Sequence, residues 1–348
     1  MKLFDYSFLE DYPVSQKNYR NLRLLYITEE RLSFWKETYP ATLKKFSAVR
    51  IYKDILSTHD IEHIPADRDR TRALLDGTAE PRTEDEHKVL GQRDAILFCE
   101  ELKTRKRLVP EDFLELHRRL MTRYDMNGGK CRSHDRPHNG YGTATTIQNP
   151  ASKLEVKYVL SSFCKIYNDA FDDSSIDGLL LALCATLDFF SVSPFNNGNG
   201  RMYRLLLNLF LGRAGITVQT YVPLEKFILH HLDNHFKALE SSTDGWAGNS
   251  EGYRFFIEDI IHNLGHCCIY INQSLPPISA GKLSKSERVG YIAMNAPSDF
   301  SIDYISERAP DVSLLSINNQ LRDMIDMGMI EKIGNTRGTV YRVVRRGE

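Results

Sequence analysis

A mainly α-helical protein with a small winged-helix unit at its C-terminal end is the fold class that the sequence predicts, on three observations. Long segments with apolar residues at 3.6-residue spacing dominate the chain. Strand-like patterning is confined to the Gly-, Asn-, Thr- and Pro-rich stretch Met126–Pro150 and to two short runs near the end. Beyond the linker-like SLPPISAGKLS near 274–284, the order helix–helix–helix–hairpin is that of a winged helix.

In chain order the helical spacing covers about 21–55, 83–104, 110–123, 153–171, 176–191, 200–213, 224–240 and 252–274. Gly178–Phe190 (GLLLALCATLDFF) is apolar nearly all round and reads as the central buried helix. Asp188, inside it, reads as a structural residue that caps or pairs. Met126–Pro150 reads as a loop or β-hairpin between helices. The terminal unit reads as helices at 284–294, 302–308 and 313–327, then the strand-like runs IEKIG and TVYRVV around Asn335. The expected division is an N-terminal helical region over 1–105, a central core over 106–275 and the winged helix over 282–348.

Composition narrows the function. Forty-five Lys+Arg against 46 Asp+Glu leave a net charge of −1, so nothing global points to a polyanion partner. Six cysteines show neither CxxC spacing nor disulfide-scaffold density. No stretch approaches the roughly 18 apolar residues of a membrane span. Asp5, Glu10 and Asp11 interrupt the start where a signal peptide needs an apolar core. A cytoplasmic protein with no membrane partner is the expectation.

The informative run is Ser193-Pro194-Phe195-Asn196-Asn197-Gly198-Asn199-Gly200-Arg201-Met202-Tyr203-Arg204, between the buried helix and the helix RMYRLLLNLFLGR. Gly198 and Gly200 remove Cβ atoms where the backbone must turn, and a helix begins directly afterward. Its first N–H groups and positive dipole end face the same spot. Arg201, Arg204 and Asn208 share one face; Leu205, Leu206, Leu209 and Phe210 share the buried one. Backbone donors with two guanidinium forks make a polyphosphate cradle. A bland alternative stands beside it: a Gly/Asn-rich turn whose arginines pair with surface carboxylates.

The run resembles the signature of the Fic (filamentation-induced-by-cAMP) family, His-x-Phe-x-(Asp/Glu)-Gly-Asn-Gly-Arg-x-x-Arg. Phe195, Gly198, Asn199, Gly200, Arg201 and Arg204 match in register. Gly129-Lys130-Cys131-Arg132 is similar to the G-K-x-R that opens the family's β-hairpin flap. The resemblance implies a Fic-type helical core and transfer of AMP from ATP to a protein hydroxyl, with Mg2+ or Mn2+. It implies that Asn197 touches the metal, that 197–201 and Arg204 hold the nucleotide, and that the hairpin 129–143 clamps the target through Gly129, Lys130 and Arg132. The target is an unidentified protein or the chain itself.

Two departures fall where the chemistry happens. Ser193 stands where the family has its general base, a His, and losing a positioned base costs about 10²–10⁴ in rate. Asn197 stands at the acidic metal position and brings no charge. His134 and His138 of the flap, and His59 and His63 upstream, are the substitute bases that the sequence offers.

Thr58-His59-Asp60-Ile61-Glu62-His63 is similar to the inhibitory helix of many Fic proteins, (Ser/Thr)-x-x-x-Glu-(Gly/Asn), with His63 replacing the small terminal residue. Thr58 and Glu62 are one turn apart and share a face. By resemblance, this helix around 54–63 sets Glu62 on Arg204, where the γ-phosphate would lie. Read without the resemblance, STHDIEHIPADRDR is a solvated helix end. The recognition-helix candidate Ser313–Met327 carries one Arg against two Asp, which argues against DNA. Asn318, Asn319, Gln320 and Arg322 still offer base-reading groups, and Arg337, Arg342, Arg345 and Arg346 a basic wing and tail. The readings are therefore an adenylyltransferase impaired at Ser193, a nucleotide-binding pseudoenzyme or regulator signalling through the winged helix, and a DNA-binding regulator.

Overall fold

The computed structural model describes residues 3–121, 123–134, 152–249, 252–334 and 338–344, with backbone alone at 138–139 and 146–147. The N-terminal helices are α1 (Gln16–Thr38), α2 (Pro40–Ile61), α3 (Arg68–Leu75) and α4 (Glu84–Leu102). The segment expected as one helix over 21–55 is two. Pro40 has no N–H to extend α1 and starts α2 in its first turn, with Tyr39 at φ −129° and ψ 47° as the joint.

Next come α5 (Pro110–Met121), β1 (His138–Asn139), β2 (Thr146–Ile147), α6 (Val156–Asp172), α7 (Gly178–Val192) and α8 (Asn199–Arg213). The two strands pair antiparallel with His138 opposite Ile147. The chain between them lies outside the described residues, as does the side chain of His138. Helix α7 starts where the Asp177 carboxylate accepts the Leu180 N–H at 2.9 Å, and every residue from Leu179 to Val192 is buried. Along it lies α8, also buried on nearly all sides.

The region read as one helix over 224–240 is also two, α9 (Leu224–His230) and α10 (Leu232–Thr243), followed by α11 (Arg254–Ser274). His231 breaks the ladder. Its Nδ1–H takes the Phe227 carbonyl that a continuing helix would offer its N–H, and the N–H turns to Ile228 instead.

One apolar cluster runs from Phe4 to Leu275, so the N-terminal helices fold onto the same core as residues 106–275. A second cluster, Val289 to Tyr341, belongs to α12 (Lys285–Met294), α13 (Ile302–Arg308), α14 (Leu314–Asp326), β3 (Ile330–Ile333) and β4 (Val340–Val343). This terminal unit has winged-helix element order and rests on α2, where Lys53 pairs with Glu307 at 3.0 Å and Thr42 donates to Asp311 at 3.1 Å. Asn335, Arg337, Arg345 and Arg346 lie outside the described residues. All six cysteines are free thiols, and among the described residues no helix is long and apolar enough to cross a membrane.

Asp188 ties the N-terminus to the core. Its carboxylate accepts from Tyr6 Oη at 2.7 Å, Trp246 Nε1 at 2.8 Å and Tyr253 Oη at 3.0 Å, all buried or nearly so. The structural reading of this residue agrees with those bonds. Replacing it with Ala strands three donors in an apolar core, each costing about 1–3 kcal/mol. Urea unfolding of Asp188→Ala is expected to show a loss of at least about 3 kcal/mol relative to wild type.

Candidate functional site

The loop between α7 and α8 is closed by its own polar groups. Ser193 ends α7 in the left-handed region at φ 44°, and its Oγ donates to the Phe190 carbonyl at 2.6 Å. Gly198 turns the chain at φ 75°, where a Cβ would press on Met121 Sδ at 3.1 Å. Asn199 clasps Phe195 from both sides: its Oδ1 accepts the Phe195 N–H at 3.1 Å, and its Nδ2 donates to the Phe195 carbonyl at 2.7 Å. Gly198 thus precedes α8, with Asn199 and Gly200 in its first turn. The Asn197 side chain is exposed.

The polar face of α8 is buried against α2. Asn208 accepts from Arg50 Nη2 at 2.8 Å, and Arg50 pairs with Asp54 at 2.6 Å. Arg204 donates to Thr58 Oγ1 at 3.2 Å and to Glu62 Oε1 at 2.7 Å. The second Glu62 oxygen lies 3.0 Å from Arg201 Nε. One carboxylate thus bridges both arginines of the motif. Arg50, Asp54, Thr58 and Glu62 recur every fourth residue, so one row of α2 meets Arg201, Arg204 and Asn208 of α8.

Helix α2 stops at Ile61, so Glu62 is its cap rather than part of a helix over 54–63. His63 follows at φ 53°. This explains the small residue of the resembling pattern: the position needs left-handed backbone, which Gly and Asn adopt easily and His tolerates better than most.

Sequence reasoning missed several partners. Glu225 of α9 accepts from Thr58 Oγ1 and lies 3.2 Å from Arg204 Nε, so Arg204 has a second carboxylate. Burial pushes the Glu225 carboxyl above its usual range, against the pull of Arg204. Gln92 donates to Thr58 at 2.9 Å. Arg201 Nη1 donates to Tyr124 Oη, with the guanidinium 5.7 Å from that ring's centre. Nothing in the spacing of Gln92, Tyr124 or Glu225 signals these contacts, because they come from three separate elements.

His117 of α5 fastens the flap to the loop. Its Nδ1 accepts the Gly129 N–H at 2.9 Å, so its Nε2 carries the proton given to the Asn197 carbonyl at 3.0 Å. The ring stacks on Phe195 with centroids 3.6 Å apart. Gly129 has φ 80°, and a Cβ there would meet the Leu114 carbonyl at 2.9 Å. Arg132 is buried, its N–H donating to the Pro194 carbonyl and its Nε to the Ser193 carbonyl, each at 2.8 Å. Of the three flap positions only Lys130 is exposed, so the geometry gives Arg132 a fastening role rather than a reach toward a target.

Two of the four substitute bases are poorly placed. His59 is fully buried, and burial with the nearby Arg201 lowers its pKa to about 4. His134 is exposed and bonded to Ser133 at 2.8 Å. At position 193 a hydroxyl replaces an imidazole.

A divalent ion at the motif would find the neutral Asn197 amide. Among the described residues, the three side chains able to converge on one ion do not lie at this loop. That donor set fits an ion carried in on nucleotide phosphates, with Asn197 adding one oxygen, and not a tightly held resident ion.

The Fic/DOC family pattern matches residues 107–211, which span α5 to α8. Residues 107–211 of this chain carry a Fic/DOC domain. It is 28% identical to protein adenylyltransferase fic-1 of Caenorhabditis elegans over 179 residues, 49% of this chain and 33% of that protein. Against protein adenylyltransferase Fic of Drosophila willistoni, identity is 30% over 148 residues, 42% of this chain and 27% of that one. The chain thus spans about a third of the length of these curated relatives. Its fold is similar to that of a Fic family protein from Desulfovibrio desulfuricans G20, with TM-score 0.60, 16% identity and coverage of 97% of this chain and 98% of that one. A Fic domain containing signaling protein from Bacteroides thetaiotaomicron VPI-5482 gives TM-score 0.55 and 20% identity over 72% of this chain and 95% of that one.

The fastening of the Fic motif has a pH signature. Burial holds His117 neutral, at a pKa of about 4 against 6.5 for the free side chain. The unfolded chain therefore binds the extra proton first, and the stability that His117 supplies is lost as pH falls from 6.5 toward 4, by up to about 3 kcal/mol. Urea midpoints for wild type and His117→Gln are expected to diverge less at pH 5 than at pH 7. Parallel pH dependence in the two proteins would contradict the assignment.

Proposed function

We propose that the chain is a nucleotide-binding Fic protein of the adenylyltransferase class, held off by Glu62 and impaired in proton transfer by Ser193. One observation carries this reading: a single carboxylate sits on both motif arginines, at 2.7 and 3.0 Å. A site that holds an anion between two guanidinium groups at the start of a helix suits the β- and γ-phosphates of ATP. The family-level activity of the curated relatives supports the same substrate.

In AMP transfer a protein hydroxyl attacks the α-phosphorus, pyrophosphate leaves, and the hydroxyl proton must go to a base. Arg201 and Arg204 would neutralise the leaving pyrophosphate, and the 198–200 backbone would orient the chain of phosphates. A divalent ion, when bound with the nucleotide beside Asn197, would supply further neutralising charge. Ser193 cannot take the proton near neutral pH.

A second reading, a nucleotide sensor, is favoured by the docking of the terminal unit. Lys53, which pairs with Glu307, lies on the same helix that delivers Glu62 to the arginines. Movement of α2 on nucleotide binding would then reach the winged-helix unit. The exposed face of α14 presents Leu314, Leu315, Asn318, Asn319 and Arg322, which suits a protein partner better than DNA. Arg342 of the wing is engaged by Asp299 at 2.7 Å.

Glu62→Gly is expected to raise ATP affinity by roughly tenfold or more, and ADP affinity less, since only ATP has a γ-phosphate to compete with the carboxylate. In that variant Arg204 keeps Glu225 and Thr58 and Arg201 keeps Tyr124, so Arg201 Nε and Arg204 Nη2 are the groups released from the carboxylate. Calorimetry with both nucleotides checks this, and equal affinities in wild type and variant would remove Glu62 from the phosphate seat.

Ser193→His in the Glu62→Gly background is expected to raise AMP transfer by about 10²–10⁴, read as self-labelling from α-labelled ATP with manganese. Binding without turnover in both forms would favour the sensor.

A further inference from the structure

Four of the chain's eleven histidines fall at His230, His231, His262 and His266, far from the Fic motif in sequence. His262 and His266 are one turn apart on α11 and share a face. His231 comes from the break between α9 and α10 and faces them. One ring nitrogen from each of these three lies within 4.8 Å of the other two. The Nε2 atoms of His262 and His266 are 3.2 Å apart. Two nitrogens on one tetrahedral zinc ion, each at 2.0–2.1 Å, stand about 3.3 Å apart.

The surroundings hold the rings as metal sites do. The Phe227 carbonyl accepts from His231 Nδ1, which fixes the lone pair of the neutral ring on Nε2. The ring of the same Phe227 stacks on His266, with centroids 5.8 Å apart and planes 9° from parallel. One residue therefore orients two of the three imidazoles, through its backbone for one and its ring for the other. Asp259, one turn before His262, is already engaged by His235 at 2.6 Å, so water would complete a tetrahedral set.

We propose that His231, His262 and His266 form a site for Zn2+ or a similar imidazole-preferring divalent ion, independent of the nucleotide cradle. Neutral nitrogen donors with no carboxylate select Zn2+ over Mg2+. The bound ion fastens the α9–α10 break to α11 and so steadies the helix that carries Glu225.

The test uses the whole chain in metal-free buffer, with Zn2+ titrated against a chromophoric chelator and Co2+ as a spectroscopic probe. One tight equivalent of Zn2+ is expected, with the visible absorption of tetrahedral Co2+. His262→Ala and His231→Ala are each expected to weaken Zn2+ binding by about tenfold or more, while His87→Ala leaves it unchanged. His262 is exposed, so its replacement keeps the fold, and circular dichroism verifies this. The proposal is overturned by a chain that takes up no Zn2+, by equal uptake in wild type and both variants, or by weakening in only one of the two.

Discussion

The site depends on a buried polar row. Arg50, Thr58 and the capping Glu62 lie at four-residue multiples along α2 and each meet a polar residue of α8, with Asp54 pairing Arg50 between them, and only Glu62 keeps some exposure to water. Charges buried in this way must be paired, because one left alone costs about 3–5 kcal/mol. The row therefore fixes the register of α2 on α8, and the register sets the Glu62 carboxylate between Arg201 and Arg204. Glu225 and Gln92 supply further partners of Arg204 and Thr58, so the Glu62–Arg204 contact is supported from three elements rather than one.

The loop that would receive phosphates is held just as firmly from its other side. Asn199 closes it, His117 links it to the start of the flap, and Arg132 donates to two of its carbonyls. A cradle this rigid favours binding geometry over adaptability, since the backbone donors need no reorganisation when an anion arrives. On the proposed reading, proton transfer is the part that lacks equipment. The Ser193 hydroxyl is turned to the Phe190 carbonyl, and His59 is kept neutral by burial and the nearby Arg201.

The helical fold, the buried α7 and the motif turn were legible in the sequence because each rests on local signals: 3.6-residue spacing, paired glycines and a charged row at helical intervals. Breaks in the helices were less so. Helical spacing on both sides of Pro40 masks the joint there, and the break at His231 arises from a side chain taking a backbone carbonyl, which no periodicity reports. The pairing of Glu62 with Arg204 followed from family resemblance, whereas its second hold on Arg201 needed the three-dimensional register. Glu225, Tyr124 and His117 were illegible because each reaches the site from a separate helix or loop. The His-x-x-x-His spacing at 262 and 266 was there to be read; only the arrival of His231 beside it turns a common helical spacing into a cluster.

The most direct test of the central claim is a crystal structure of the Glu62→Gly chain with a non-hydrolysable ATP analogue. If Glu62 occupies the phosphate seat, the γ-phosphate oxygens will lie within hydrogen-bond distance of Arg204 Nη2 and Arg201 Nε, the two nitrogens that the carboxylate now holds. Phosphates bound elsewhere, with those nitrogens turned to other carboxylates, would contradict it.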